Sequence, residues 1–267
     1  TLFRSADAQV LTDWVQRLDS VPTFDSRQLL DTMPSGRLHN WLQARQPNDT
    51  AVRKINQHLA ANDGGPQFGI LLLDLDADMD KLQVTLDSLM ESAFRAFKVV
   101  IFTTGDLPAV TTAQNTLHFV KVTTANYVDK LNQIARQSTS DWLLLAEAGD
   151  EFTAAGFLRA SLELQNAEGC RAVAMDEIHR QANGTLVDVF RPAFNLDLLQ
   201  SMPALVARHW LIRRETLVEV GGFARELTLA LEFDLLLRLV ETGGLAGLAH
   251  LAEPLLITAA PRSEERR

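Results

Sequence analysis

The sequence predicts an α/β fold in which a mostly parallel, twisted sheet is flanked by helices and preceded by a helical extension. After residue 66, short apolar runs alternate with amphipathic segments, which is the pattern of a parallel sheet covered by helices. Before residue 62, apolar residues recur at helical spacing, and no alternating strand pattern is present. The run Asn-Asp-Gly-Gly-Pro at 62–66 breaks the chain between the two regions. We therefore predict a helical extension at 1–65 and an α/β domain at 66–267.

The extension carries three helix signals. Apolar residues fall at helical spacing in 11–18 and again in 38–42. Asn-Asp-Thr at 48–50 supplies a helix N-cap, so a third helix is expected at 51–61.

The domain after the break divides into strands and helices by period and length. We predict strands at 68–73, 98–102, 118–122, 142–145 and 171–175, and helices at 81–94, 127–137 and 152–165. Ligands of open α/β sheets bind outside the carboxyl ends of the strands. The candidate site segments are therefore 74–80, 103–108, 147–151, and residue 176 onward. Two of these are acidic, which suits a cation-bridged or hydroxyl-rich ligand better than a bare phosphate.

Composition narrows the class of protein. Apolar residues make up 46% of the 267 residues, enough for a sizeable core, and no apolar run approaches the roughly 20 residues of a membrane span. The net charge of −9 argues against a nucleic-acid partner.

A lone Cys170 excludes an internal disulfide and fits a reducing compartment. We expect a location in the cytoplasm or at the periphery of the inner membrane. Because the chain begins at Thr1 without methionine, we also expect neighbouring domains of a longer polypeptide.

The stretch 174–241 has an informative order of motifs. An acidic pair, an Asn-Gly turn, Arg191-Pro192, an Arg-Arg helix, Gly221-Gly222-Phe223 and the acid-led Glu232-Phe233-Asp234 follow one another. This order resembles the C-terminal half of family 2 glycosyltransferases, and 82–106 and 132–152 resemble earlier parts of the same family. The resemblance implies a GT-A-like fold and inverting transfer of a sugar from a nucleotide-sugar to a glycan or other acceptor, as in polysaccharide biosynthesis.

The nucleotide side of the family pattern is altered. Where the family has Asp-Asp-Gly-Ser, this chain has Thr103-Thr104-Gly105-Asp106. The resemblance implies that Thr103 and Thr104 contact the nucleotide without bringing charge, and that Asp76 faces it from the preceding loop.

The metal side is altered as well. The family's metal-binding Asp-x-Asp aligns with Glu147-Ala148-Gly149, and Asp150 follows. Gly149 cannot ligate, so Mn²⁺ or Mg²⁺ would depend on Glu147 and Asp150, which otherwise serve as first-turn acids of a helix. The family's distal histidine is missing, and we predict His250 to be a strand-end surface residue.

The remaining candidates concern the sugar and the acceptor. The resemblance places Asp176 and Glu177 towards the donor or acceptor, and Glu232 at the position of the general base. The alternative role of Glu232 is structural: as an acid at the N-terminus of the following helix, it would be favoured by the helix dipole. Arg208 and His209, with Gly221 and Gly222, are candidates on the acceptor or phosphate side.

Three functions remain open from the sequence. The first is a transferase with weakened or lost metal dependence. The second is an inactive glycosyltransferase-like domain that serves as a scaffold, acceptor-binding or regulatory module. The third is a carbohydrate-binding module. The altered metal positions favour the second.

Overall fold

The computed structural model describes residues 35–108 and 116–260. The helix predicted in 11–18 lies outside these residues. The other two helices of the extension are confirmed as α1 (Ser35–Ala44) and α2 (Asp49–Ala60). The side chain of Asn48 caps α2 by accepting the N–H of Ala51 at 2.9 Å, as the sequence predicts.

A nine-stranded sheet forms the centre of the described structure. The strands are β1 (Phe68–Asp74), β2 (Phe97–Thr103), β3 (Leu117–Lys121), β4 (Trp142–Glu147), β5 (Glu151–Phe152), β6 (Ala172–Arg180), β7 (Leu186–Val189), β8 (Trp210–Arg213) and β9 (Leu248–Ala259). Their order is β3-β2-β1-β4-β8-β6-β9-β5, with β7 paired to β6. Strands β3, β2, β1 and β4 are parallel to one another, β6 is parallel to β9, and β8 runs antiparallel between β4 and β6. The predicted mostly parallel sheet is confirmed.

Within residues 35–108 and 116–260, seven further helices cover the sheet. They are α3 (Met79–Glu91), α4 (Tyr127–Gln137), α5 (Gly156–Leu164), α6 (Leu196–Ser201), α7 (Pro203–Val206), α8 (Arg214–Glu219) and α9 (Leu231–Gly243).

The alternation of side chains along β1 shows how the two layers form. Phe68, Ile70 and Leu72 pack on one face with residues of α2, α3 and α5. Leu71 and Leu73 pack on the other face with residues of α4, α8 and α9. Because neighbouring residues of a strand point to opposite faces and both faces are covered, β1 carries no polar side chain from Phe68 to Leu73, and the whole strand, including its terminal Asp74, is buried.

Two predicted elements differ from the structure. The helix predicted at 152–165 begins only at Gly156, because Phe152 pairs with β9 and its N–H donates to Ser88 Oγ at 2.8 Å. The strand predicted at 171–175 continues to Arg180, because it pairs with β9 along its whole length. That pairing shifts register around Asp176, and the extra residues lie in β9, which therefore carries the bulge.

The extension packs directly on the domain. Trp41 of α1 makes an edge contact with Phe190 just after β7, with ring centroids 6.3 Å apart. Arg45 forms an ion pair with the buried carboxylate of Glu253 in β9. Leu59 of α2 joins the same core as Phe68. The division at residues 65 and 66 stays a prediction.

Candidate functional site

The predicted nucleotide side lies where β1 and β2 end. Thr103 Oγ1 donates to Asp74 Oδ2 at 2.7 Å and accepts the N–H of Gly105 at 2.9 Å. Thr104 Oγ1 donates to the carbonyl of Leu75 at 2.9 Å. Both threonine hydroxyls therefore donate their protons to the end of β1 and the loop that follows it.

A cavity of about 240 Å³ opens between the ends of β1 and β4. Its lining residues are Leu73, Asp74, Leu75, Asp76, Asp78, Lys81, Glu147 and Ala148. The side chain of Asp76 is exposed and lies 3.6 Å from Lys81 Nζ. Four carboxylates face one ammonium group here, so the cavity is acidic. A larger cavity of about 740 Å³, lined by Asp141, Arg213 and neighbouring residues, contains none of the predicted site residues.

The turn after β4 holds the two predicted metal ligands in a closed arrangement. Asp150 Oδ2 accepts the N–H of Glu147 at 2.7 Å, and the N–H of Asp150 donates to the carbonyl of Glu147 at 3.0 Å. Between them Gly149 has a φ of 105°, in the region that favours glycine, and its N–H donates to Thr85 Oγ1 at 2.9 Å. Gly149 therefore lacks a carboxylate and has a backbone conformation that an aspartate would adopt only with strain.

Two consecutive cationic residues contact this turn. Arg208 Nη2 lies 2.9 Å from Glu147 Oε1, and 42% of the arginine side chain is exposed. His209 is buried, with Nε2 3.3 Å from Asp150 Oδ2 and Nδ1 2.8 Å from Glu177 Oε1. The φ of His209 is 57°, which is uncommon for a residue with a side chain. The structure thus brings together Glu147, Asp150, Arg208 and His209, all of which the sequence singles out.

The electrostatics of the buried part centre on His209 and Glu177. Burial alone would lower the pKa of His209, but the carboxylates of Glu177 and Asp150 outweigh this effect and raise its pKa to about 10. Burial alone would raise the pKa of Glu177, but the charges of His209 and Arg191 hold it well below its usual range. Burial likewise opposes the charge of Arg208, but Glu147 and Asp150 raise its pKa above the ordinary value. Cationic and anionic groups stabilise one another throughout this cluster.

Glu232, the predicted general base, lies at the start of α9 and is 7% exposed. Its two carboxylate oxygens accept the backbone N–H groups of His209 at 3.0 Å and Trp210 at 3.1 Å. Burial raises the pKa of Glu232, and the charge of His209 and the two N–H groups offset this only in part. Glu232 therefore fixes the backbone of the segment that carries the two cations.

Asp176 lies in β6 opposite the bulge of β9 and is also buried. Its Oδ1 accepts the N–H of Arg191 at 2.8 Å and lies 2.8 Å from His250 Nε2. The prediction that His250 is a strand-end surface histidine is wrong, because His250 lies within β9 and its imidazole pairs with this carboxylate.

The two predicted glycines form a turn after α8. The φ values of Gly221 and Gly222 are 89° and 83°. A Cβ atom on Gly222 would lie 2.3 Å from Asn132 Oδ1, because Asn132 bonds both the N–H and the carbonyl of Phe223 at 2.8 Å. Among the residues described, the close approach at Gly222 is to Asn132.

Two members of the cluster were not predicted to be site residues, although Arg191 belongs to the motif order described above. Arg191 forms an ion pair with Glu177 and donates to the carbonyl of Arg208 at 2.8 Å. His179 Nε2 lies 3.4 Å from Glu177 Oε2. His179 follows Glu177 by two positions on one strand, so their shared face was available as a signal. Arg191 offered no such signal, since its contacts depend on tertiary packing.

The sheet order, the parallel half and the helices on both faces define a GT-A-like fold, with the cluster at the carboxyl edge of β4. Neither a protein family model nor a curated protein sequence matches this chain. Solved structures of glycosyltransferases do match, and at their low sequence identity the likeness shows the fold.

Three of these structures give the range of similarity. TarS of S. aureus has a TM-score of 0.55 and is 13% identical, over 73% of this chain and 37% of TarS. TarS 1–349 in complex with UDP-GlcNAc has a TM-score of 0.55 and is 14% identical, over 74% of this chain and 60% of that one. The mannosyltransferase PcManGT from Pyrobaculum calidifontis, in complex with GDP-Man and Mn²⁺, has a TM-score of 0.52 and is 15% identical, over 74% of this chain and 58% of that one. The chain thus spans well under two thirds of these relatives.

The residues at the predicted metal position do not fit a divalent cation as they stand. Glu147 is paired with Arg208, Asp150 contacts His209, and Gly149 has no ligand atom in a side chain. Across residues 35–108 and 116–260, no group of three or more His, Cys, Asp or Glu side chains is arranged to hold a metal ion. In the same residues, no helix has the length and apolar character needed to cross a membrane.

Proposed function

We propose that this chain is a catalytically inactive glycosyltransferase-like domain that serves as a scaffold within a longer protein. One observation carries the proposal: Glu147, Asp150 and Glu232, at the positions assigned to metal binding and catalysis, all have internal partners. The neighbouring domains and a cytoplasmic location belong to the same proposal, and Cys170 as the lone cysteine supports a reducing compartment.

The geometry of Glu232 argues against its use as a base. A general base needs a carboxylate oxygen within hydrogen-bond reach of the acceptor hydroxyl. Burial raises the pKa of Glu232, which favours proton uptake, but both oxygens are engaged by backbone N–H groups inside the protein. Each oxygen keeps a further lone pair, but Glu232 is buried, so a substrate hydroxyl could reach it only if the residues that cover it moved.

The charge of the site argues against a nucleoside diphosphate donor. The charge that develops on a departing diphosphate is stabilised by a metal ion or by uncompensated cationic groups. Arg208 and His209 are compensated by Glu147, Asp150 and Glu177, and the adjoining cavity is lined by three further aspartates and a single lysine. A diphosphate would therefore meet net negative charge.

The neighbours suggest which donors to test. We would titrate the protein calorimetrically with UDP, UDP-GlcNAc, GDP and GDP-Man, each with and without Mn²⁺, and measure release of nucleoside diphosphate chromatographically. We expect no binding heat and no release. Acceptor-dependent release by the unaltered protein would overturn the proposal, and heat from a glycan alone would identify a carbohydrate-binding module.

A second candidate is a transferase that works without metal. It is favoured by the exposure of 42% of the Arg208 side chain beside Glu147, which lines the cavity. In that case a nucleotide binds equally well with and without Mn²⁺, and Arg208→Gln abolishes binding. Arg180→Gln is a matched control, because Arg180 forms a similar partly exposed ion pair with Glu151.

A further inference from the structure

The guanidinium group of Arg191 carries a buried donor that the described protein does not satisfy. Its Nη1 donates to the carbonyl of Arg208 at 2.8 Å, and its Nη2 donates to Glu177. Within residues 35–108 and 116–260, however, its Nε has no hydrogen-bond partner, although the side chain is only 2% exposed. Because a buried donor of a charged group is costly without an acceptor, this nitrogen requires one from outside the chain.

A small cavity beside Arg191 provides the place for that acceptor. Its volume is about 10 Å³, and a volume of about 10–15 Å³ is what one water molecule needs. Since both Nη atoms donate to protein oxygens, Nε is the guanidinium nitrogen left for a molecule in this cavity. We propose that the cavity is a binding site for one buried water molecule, which accepts the N–H of Arg191 Nε. The other residues of the lining are Ala174, Pro192, Ala193, Phe194, Asn195, Leu198, Val206 and Trp210.

Three other arginines show how this fold treats the same nitrogen. The Nε of Arg213 donates to the carbonyl of Cys170 at 2.9 Å. The Nε of Arg171 donates to the carbonyl of Ala246, and the Nε of Arg238 donates to a carboxylate oxygen of Asp234, both at 2.8 Å. All three are partly exposed, whereas Arg191 is buried. The arginine for which an acceptor matters most is therefore the one that lacks a protein oxygen.

The surroundings favour water over an ion. The charge of Arg191 is already compensated by Glu177, so the cavity does not require an anion. A bound water also needs acceptors for its own protons. The carbonyl of Val206 accepts Trp210 Nε1 at 2.7 Å and keeps a second lone pair. The carbonyls of residues 192–194 precede the hydrogen-bond ladder of α6, which begins at the carbonyl of Asn195.

The water would make Arg191 a positioning residue with every donor satisfied. The backbone N–H of Arg191 donates to Asp176 Oδ1 at 2.8 Å, and Nη1 holds the carbonyl of Arg208. A water on Nε would join the same guanidinium to the segment before α6. The inference concerns hydration of the fold and holds whether or not the domain transfers sugar.

The test uses the unaltered protein, so it does not depend on a variant that folds. In a rotating-frame Overhauser spectrum, a bound water gives a cross-peak of sign opposite to the diagonal, whereas exchange with solvent gives the same sign. We expect an opposite-sign cross-peak between water and Hε of Arg191, and none at Hε of Arg213, which serves as the control. None of the residues that line the cavity carries a hydroxyl group whose proton could imitate water. A crystal structure should show an ordered water about 2.7–3.2 Å from Arg191 Nε.

A matched pair of substitutions then places the water in this cavity. Ala174→Val adds two methyl groups to the lining, so it should expel the water, abolish the cross-peak and lower the urea midpoint. Ala172→Val makes the same change on the same strand and in the same core, but outside the lining, and should keep the cross-peak. The proposal is overturned if the unaltered protein gives no opposite-sign cross-peak at Arg191, if a protein oxygen is found to accept Nε–H, or if folded Ala174→Val retains the cross-peak.

Discussion

The charged state of His209 predicts how the stability of this domain depends on pH. Its pKa rises from an ordinary 6.5 to about 10 in the folded chain, because the carboxylates of Glu177 and Asp150 outweigh the cost of burial. A group whose pKa is raised by folding stabilises the protein fully below its unfolded pKa. The stabilisation should therefore be complete below pH 6.5, decline above it, and be lost near pH 10.

The size of the effect follows from the same shift. A tenfold change in proton affinity corresponds to about 1.4 kcal/mol, so the rise in pKa of His209 corresponds to a stabilisation on the order of 5 kcal/mol. Across the window the free energy of unfolding should fall by at most about 1.4 kcal/mol per pH unit from this one group. That is large for a domain with a total stability of about 5–15 kcal/mol.

The assay compares urea denaturation from pH 6 to pH 10 for the unaltered protein and His209→Asn. Asparagine stays neutral over this range and tolerates the φ of 57° at this position. His58→Asn is the matched control for the substitution, because His58 lies exposed on α2 and outside the charged cluster. Parallel curves for His209→Asn and the unaltered protein would show that the imidazole is not charged in the fold and would refute this account of the cluster.

Three further predictions concern stability, each measured by urea denaturation at neutral pH. Glu232→Gln leaves one of two buried N–H groups without an oxygen acceptor, so we expect a loss of about 1–3 kcal/mol; no loss would mean that these bonds are not formed. Gly222→Ala should cost about 1–3 kcal/mol for its φ of 83°, and more than Gly221→Ala, because only at position 222 does the added Cβ meet a neighbouring side chain. Equal costs at the two positions would contradict the turn geometry. Arg45→Gln leaves the carboxylate of Glu253 buried without its cation, and we expect a loss of about 1–3 kcal/mol, reduced by the partial exposure of Arg45; an unchanged midpoint would show that the extension is not held by this pair.

The sequence predicted the elements whose signal is local. The helix at Tyr127–Gln137 has the predicted bounds, because its apolar face and its ends are encoded within one segment. The short strand β8 was not predicted, since its three apolar residues before Arg213 do not distinguish a strand from a helix. The start of α5 was misplaced because Phe152 is drawn into β5 by pairing with β9, about 100 residues away in the chain.

For the candidate site too, the sequence revealed the residues but not the tertiary contacts between them. The sequence singled out Arg208 and His209 as a basic pair and Glu147 and Asp150 as acids after a strand, so the members were visible. Their pairing was not, because the two segments meet only when β8 inserts antiparallel beside β4. The role of Glu232 was equally hidden, since nothing local reveals that its oxygens accept the N–H groups of residues 23 and 22 positions earlier.

These contacts also explain why the fold persists while the predicted chemistry does not. The packing on both faces of β1 involves apolar residues of eight of the described helices and none of the site carboxylates. The carboxylates are instead fixed by the cations, by the glycine conformation of Gly149 and by the strained backbone of His209. An aspartate at position 149 alone would meet an unfavourable φ and find its neighbours already paired. Restoring the missing acid alone is therefore not expected to create a divalent-cation site while Arg208 and His209 remain paired with Glu147 and Asp150.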